Sequence, residues 1–304
     1  MDRRVFLTQV LPAAATGLSL SAHAAEADLT VTALTDRLSL VSGGGGNVVV
    51  FNTPEGVLLV DGGSPDLSAQ VLAKVRALTG SAKVHTLFNT HWHWDQTGSN
   101  LALGTSGTQI IAHENTRLWL STDANVKWQK RVYPRQAPQA RPGKTFYTTG
   151  SLDFGGERID YGYLPQAHTD SDIYVYFRTA NVMVAGDVLS VGRYPVIDYS
   201  TGGWIGGLAD ATRQLLQLGT EQTRYVPGAG PVLSRADLQA ERDMLVTVQQ
   251  RLAKLLSQGM SVTDMIAAAP LKDLEARWGD ASLIIANAWP GLVARSRELG
   301  VSIV

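Results

Sequence analysis

Cysteine is absent from all 304 residues. That excludes disulfides and thiolate metal ligands, so any metal must be held by histidine, carboxylate or amide oxygen. An excess of one charge is lacking too: 26 Lys and Arg against 27 Asp and Glu leave a formal net charge of -1. Neither nucleic acid nor an acidic membrane surface is therefore indicated as a partner. Histidine is scarce, with 6 in the chain, so where the histidines fall carries information. No apolar run after the N-terminal segment approaches the ~20 residues that a membrane-crossing helix needs. What remains is an ordinary globular composition, 44% hydrophobic and 17% charged, long enough to bury a large core.

The N-terminus has the layout of an export leader. Arg3 and Arg4 open it, residues 5–20 are mostly small and apolar, and Ala22-His23-Ala24 gives a small-x-small cleavage pattern. The run Arg3-Arg4-Val5-Phe6-Leu7 resembles the twin-arginine export signal. The expectation is a leader over residues 1–25 and one mature domain over residues 26–304. That domain would be periplasmic or secreted, with no stable membrane insertion after cleavage. No linker or short-period repeat divides it, and its oligomeric state is not legible.

Strand patterns occupy residues 29–34, 38–42, 47–52 and 56–60, the last two flanking a Thr53-Pro54-Glu55 turn. Residues 67–78 have helical periodicity, and residues 84–88 form an apolar strand running into Asn89-Thr90-His91. A strand at 110–112 and a helix at 114–120 precede a proline-containing loop at 134–144. Further strands are predicted at 151–159, 161–164, 173–177, 182–185 and 224–226, with helices at 207–218 and 235–257. Strands and helices in this order predict two packed sheets with helices outside.

The strongest local signal is Thr90-His91-Trp92-His93-Trp94-Asp95-Gln96-Thr97-Gly98. In an extended chain residues i and i+2 share a face, so His91 and His93 aim at one point and Asp95 follows at the same spacing. Trp92 and Trp94 would then project the other way, into packing. Ala167-His168-Thr169-Asp170-Ser171-Asp172 and Ala185-Gly186-Asp187-Val188 put further ligand-type residues at strand ends. Three histidines with an open fourth position is how catalytic zinc is held. His85 and His113 read as structural. Asp170 and Asp172 read as turn and cap residues, either able to hydrogen-bond a histidine ligand. The Gly-rich stretch Asp198-Tyr199-Ser200-Thr201-Gly202-Gly203-Trp204 reads equally as a substrate-contacting loop, with Tyr199 and Trp204 in the pocket, or as a cap before the next helix.

These motifs together resemble the metallo-β-lactamase-fold hydrolase superfamily over nearly the whole mature chain. Asp61-Gly62-Gly63 is similar to its Asp-Gly turn, His91-x-His93-x-Asp95 to its signature, His168 to its third histidine, and Asp187 to its bridging aspartate. Pro227-Gly228-Ala229-Gly230-Pro231 is similar to its Pro-Gly-His-Gly-Pro turn. The resemblance implies an α/β (α+β) fold, a four-layer αββα sandwich with the site at one edge of the sheets. It also implies metal ligation by His91, His93, His168 and Asp187. Two positions depart from the pattern: Gln96 and Ala229 stand where histidines of a second metal site are usual. Gln96 is left as a weak second-site ligand through its amide oxygen, and imidazole binds zinc far better than an amide.

The expectation is a zinc hydrolase with one Zn²⁺ per chain. Zinc there would activate water against an ester, lactone, thioester or β-lactam carbonyl of a small molecule, with Asp95 as the catalytic proton acceptor. Two alternatives use the same fold: a mononuclear Fe(II) dioxygenase of the persulfide type on His91, His168 and Asp187, or a binding protein without catalysis.

Overall fold

The computed structural model describes residues 28–81 and 83–298. The expected leader lies outside them.

The first half of the chain runs β1 (Thr30–Ala33), β2 (Leu38–Ser42), β3 (Val48–Thr53), β4 (Gly56–Val60), α1 (Ser68–Thr79) and β5 (Val84–Phe88). It continues through α2 (Trp94–Thr97), α3 (Asn100–Thr105), β6 (Gln109–His113), α4 (Glu114–Ser121), β7 (Ala124–Val126), β8 (Arg131–Tyr133) and β9 (Lys144–Phe146). The second half runs β10 (Thr149–Phe154), β11 (Glu157–Tyr163), β12 (Ile173–Phe177), β13 (Val182–Gly186), α5 (Ile205–Leu218) and β14 (Arg224–Pro227). Four helices close the described chain: α6 (Arg235–Ser257), α7 (Val262–Ala267), α8 (Glu275–Trp278) and α9 (Ser282–Glu298).

A seven-stranded sheet has the order β1-β2-β3-β4-β5-β6-β9, and a five-stranded sheet the order β10-β11-β12-β13-β14. The strand sequences dictate how these sheets pack. In β3, Val49 and Phe51 point into the core between the sheets, while Val48 and Val50 point to the opposite face. In β12, Ile173, Val175 and Phe177 enter the same inter-sheet core, and Tyr174 and Tyr176 face away. Both parities are apolar because both faces of each sheet are covered, the composition expected of strands buried on two sides. Val71 and Val75 of α1 and Leu103 of α3 cover the outer face of the first sheet. Residues of α5, α6 and α9 cover the second, among them Leu208, Leu245 and Ile285. The result is the expected four layers, helix, sheet, sheet, helix.

Helix α6 spans the predicted residues, and a capping box fixes its start: Ser234 Oγ accepts from Asp237 N, and the Asp237 carboxylate accepts from Ser234 N. Two expectations are corrected. The strand predicted over 151–159 breaks at Gly155 and Gly156, both at positive φ (58° and 75°), which make the two-residue turn of the β10–β11 hairpin. The chain after His93 does not stay extended, because Trp94 begins the short helix α2.

At one end of the sandwich the sheets are tied together by hydrogen bonds. Ile173 N donates to Thr90 O at 2.8 Å, and Asn47 N donates to Gly228 O at 2.7 Å. The buried Asn47 side chain adds a bond to Pro227 O at 2.9 Å. The ends of β5, β13 and β14 are therefore held in mutual register where the histidines and Asp187 sit.

Candidate metal centre

Strand β5 delivers His91, the loop before β12 delivers His168, and Asp187 follows the last residue of β13. Ligand atoms of His91, His93, His168 and Asp187 all lie within 4.8 Å of one another. The three imidazole rings form a near-equilateral triangle, with centroids 4.8, 4.9 and 4.8 Å apart. Asp187 Oδ2 lies 4.0 Å from His91 Nε2 and 3.8 Å from His168 Nε2.

One nitrogen of each ring is committed elsewhere, which leaves the other free to face the centre. His168 Nδ1 donates to Val196 O at 2.8 Å. His93 Nε2 donates to Asp198 Oδ2 at 3.0 Å. Thr90 Oγ1 donates to Asp61 Oδ2 at 2.8 Å and so turns a lone pair toward His91 Nδ1 at 3.3 Å. The inward atoms are then His91 Nε2, His93 Nδ1 and His168 Nε2, all as lone-pair donors. His91 Nε2 is buried with no hydrogen-bond partner, a costly state unless a cation takes the lone pair. His168 Nε2 faces His93 Nδ1 at 3.0 Å, close to the roughly 3.3 Å edge of a tetrahedron of nitrogens at 2.0–2.1 Å from zinc. Burial, then the neighbouring imidazoles, hold His91 well below the usual histidine range. Burial and His93 push His168 down to about 4. Neutral imidazoles are the form that binds metal, so these four residues fit a metal ion.

The outer contacts are as well made as the inner ones. Asp61 has a positive φ of 64°, a conformation that a side chain adopts only where its surroundings enforce it. Its carboxylate accepts from both Thr90 N and Thr90 Oγ1 at 2.8 Å. Asp198 is fully buried and accepts from His93 Nε2, Thr201 Oγ1 (2.7 Å), Ser200 N (3.1 Å) and Trp128 Nε1 (3.0 Å). Burial alone would raise its pKa, but the His93 and Thr201 hydrogen bonds hold it below the usual carboxylate range. Asp198 thus orients His93 directly, as Asp61 orients His91 through Thr90. Asp170 accepts from Trp119 Nε1 and Asp172 from Thr169 N instead. His113 caps α4 through Nδ1 and stacks on Tyr163, and His85 is exposed on β5.

Asp95 stands outside the group of four because α2 turns the chain after His93. It lines the adjoining cleft instead, where burial and then the charge of Asp187 push its carboxyl above the usual range. Gln96 lies fully buried beside Asp187, but it turns its N–H side there: Nε2 donates to Asp187 Oδ1 at 3.4 Å and to Gly228 O at 3.5 Å. The amide nitrogen, not the oxygen, faces Asp187 and Gly228 O here, and Gln96 Oε1 is buried without a hydrogen-bond partner. Ala229 is exposed and offers no ligand.

The cleft over the centre has a volume of about 460 Å³. His93, Asp95, His168 and Asp187 line it together with Trp94, Trp128, Tyr133, Arg131 and Arg193. Trp92 is buried as expected, whereas Trp94 is on the cleft wall because it starts the helical turn. Tyr199 and Trp204, expected in the pocket, line a different cavity of about 240 Å³ beside α9. The tight turn that carries Asp198 inward to His93 turns Tyr199 and Trp204 outward, and Arg295 stacks on Trp204 at 5.0 Å. The aromatic and cationic wall of the cleft, on the β7–β8 hairpin and the loop after β13, has no local sequence signature.

Several known proteins share this architecture. A metallo-beta-lactamase from Pontibacter korlensis superposes with a TM-score of 0.59 at 18% identity, covering 72% of this chain and 99% of that one. A stereoselective inverting sec-alkylsulfatase from Pseudomonas sp. superposes with a TM-score of 0.61 at 13% identity, covering 79% of this chain and 45% of that one. In sequence, the chain is 25% identical over 222 residues to the 2,4-dinitroanisole O-demethylase subunit alpha of Nocardioides sp. (strain JS1661). The match covers 72% of this chain, which spans 63% of the length of that curated relative. A family model for the metallo-beta-lactamase superfamily matches residues 41–258, and with the geometry above this establishes that the chain belongs to the metallo-beta-lactamase superfamily.

Proposed function

We propose that the protein is a zinc-dependent hydrolase holding one metal ion per chain on His91, His93, His168 and Asp187. The observation that carries this reading is the set of three inward-facing imidazole lone pairs, each fixed by a hydrogen bond on its far side. Zinc bound there supplies an activated water and a Lewis acid for a carbonyl. The chain's own residues do the rest. Asp95, on the cleft wall and outside the ligand group, accepts a proton from the attacking water. Thr90, Val196 and Asp198 keep the imidazoles in register.

The single-metal stoichiometry rests on Gln96 and Ala229. The first meets Asp187 with an N–H and the second is a methyl group, so of the usual second set only Asp95 and Asp187 offer ionised oxygens. Gly228 approaches Asp187 so closely that a Cβ there would lie 1.8 Å from Oδ1, which fixes that carboxylate in place.

Elemental analysis of dialysed protein tests the reading, followed by turnover of a panel of ester, lactone, thioester and β-lactam compounds. An aryl methyl ether belongs in the panel, because the curated relative is named as an O-demethylase. About one zinc per chain with hydrolysis of a panel member is the expected result. Two tightly held ions would overturn the stoichiometry. Stoichiometric iron with oxygen consumption would favour the dioxygenase alternative, and a chain without metal the non-catalytic one.

A further inference from the structure

Resting on the reading of this cleft as a substrate site, we infer that its substrate is a small organic anion with a flat aromatic or conjugated body, its oxyanion held by Arg131 and Arg193. Depth separates the charges in the cleft. The side chains of the group of four lie deeper: His91 0%, His168 2%, His93 12% and Asp187 27% exposed. Arg131 and Arg193 are exposed, so their guanidinium groups sit toward the mouth. Of the carboxylates lining the cleft, only Asp66 is equally exposed. Neither arginine has a carboxylate within 4.0 Å among the described residues, although the charge of Arg193 reaches Asp187 and Arg131 hydrogen-bonds the Tyr133 hydroxyl. Most other arginines near acids are paired, such as Arg117 with Glu114 and Arg251 with Asp273. Two guanidiniums without a direct carboxylate partner, over a site whose inner carboxylates face a cation, leave a net positive field at the entrance.

Arg131 is ordered before any ligand arrives. Its Cζ lies 4.4 Å from the Tyr133 ring centroid and 5.5 Å from that of Trp94. One N–H meets the Tyr133 hydroxyl, and the other guanidinium N–H groups are left for an oxyanion. The aromatic surface beside it is rigid as well. Trp94 meets Tyr133 edge-on at 5.2 Å and 75°, and the Trp128 indole is anchored by its Nε1 bond to Asp198 Oδ1. Trp94, Trp128 and Tyr133 thus present preformed faces to a planar group, at little entropic cost on binding.

The test is binding, so it does not depend on turnover. Zinc-loaded full-length protein is titrated with 2-naphthoate, naphthalene-2-sulfonate and the neutral 2-naphthalenemethanol, following quenching of tryptophan fluorescence. The naphthoate or the sulfonate should bind at least about 10-fold more tightly than the alcohol, and added salt should weaken the anion alone. Which anion wins separates carboxylate from sulfate-type substrates. Arg131→Gln and Arg193→Gln, both at exposed positions, should each weaken anion binding about 5- to 30-fold and leave the alcohol within about 3-fold, consistent with loss of one charge-assisted contact. Equal binding of anion and alcohol overturns the inference. So does an anion preference that both arginine variants retain, because that would place the anion on the metal alone. Selective binding without hydrolysis of any panel compound would leave this inference standing and sink the hydrolase reading. Hydrolysis with arginine-independent binding would do the reverse.

Discussion

His93 is given a single use by its neighbours. Its Nε2 is held by Asp198 at 3.0 Å, so only Nδ1 is left for the centre. Removing the ring in His93→Ala should abolish tight metal binding and activity together, because one of three nitrogen donors is gone. Asp198→Asn is subtler. The amide still fills the space, but its Oδ1 and Nδ2 cannot both accept from the four donors now on the carboxylate. Metal affinity should fall about 10- to 100-fold, the usual cost of losing an outer-sphere partner, as read by competition with a chelator. An Asp198→Asn protein with unchanged affinity would remove this residue from the account. Asp95→Asn should do the opposite, keeping the metal and losing about 10²–10⁴-fold in rate, because an amide accepts no proton. Full activity in that variant would leave Asp95 without a role. At this scale the grouping of His91, His93, His168 and Asp187 was legible from the sequence because they sit at strand ends in short motifs. Asp198, Arg131 and Arg193 were not legible in their roles. Each reaches the site through tertiary contact from a turn or hairpin whose local pattern says nothing of what lies opposite.

At the scale of elements, the ends of β5 and β13 decide whether those side chains converge. Gly186 closes β13 at φ 54°, and a Cβ there would lie 2.3 Å from Thr90 Oγ1 and 3.4 Å from His91 Nδ1. Gly186→Ala therefore carries two costs: the left-handed backbone, about 1 kcal/mol, and displacement of the hydroxyl that orients His91. Gly80, the C-cap of α1 at φ 68°, is the contrasting case: a Cβ there would meet nothing within 4 Å. Gly80→Ala should lower the unfolding free energy by about 1 kcal/mol and leave metal affinity unchanged. Gly186→Ala should lower both, with the affinity loss about 10-fold or more. Chelator competition and urea unfolding on the two variants check this, and an unaffected metal site in Gly186→Ala would refute the steric argument. The same elements show why parts of the fold could be read in advance. Alternating apolar parities in β3, β12 and β13 announce strands covered on two faces. Where the reading failed, a local turn overrode a longer pattern. Gly155-Gly156 split a run that looked continuous, and α2 took Trp94 and Asp95 off the extended face assumed from His91 and His93.

At the scale of the whole molecule, the outer helical layer is joined to the site's sheet by an acid that the proposed chemistry does not use. Glu241 of α6 is 1% exposed. Its Oε1 lies 2.8 Å from Ser190 N and 2.7 Å from Ser190 Oγ, and its Oε2 is buried without a partner. Ser190 Oγ also lies 2.9 Å from Arg193 O, which only accepts. One hydroxyl proton cannot serve both neighbours, so a protonated Glu241 donating to Ser190 Oγ satisfies the trio. Burial, only partly offset by the Ser190 hydrogen bonds, pushes this carboxyl up to about 8. The sign follows from proton counting. Between the unfolded value of 4.5 and the folded value of about 8, the folded chain holds a proton that the unfolded chain has released. Stability from this group is fully present below about pH 4.5, falls as pH rises through that window, and stays low above it. Glu241→Gln is neutral at every pH; its amide oxygen at the Oε1 position still accepts from Ser190 N, without the titration, though unlike a carboxylic acid hydroxyl that oxygen cannot also donate to Ser190 Oγ. Relative to the wild type, the variant should gain stability between pH 4.5 and pH 8–9 by an amount on the order of a few kcal/mol. Urea unfolding of both proteins at pH 5, 7 and 9, with zinc concentration held fixed, measures the difference free of the other carboxylates that titrate alike in the two. A difference that stays constant across those pH values would mean that Glu241 is charged in the folded protein, and that the helical layer is held by an ionised carboxylate.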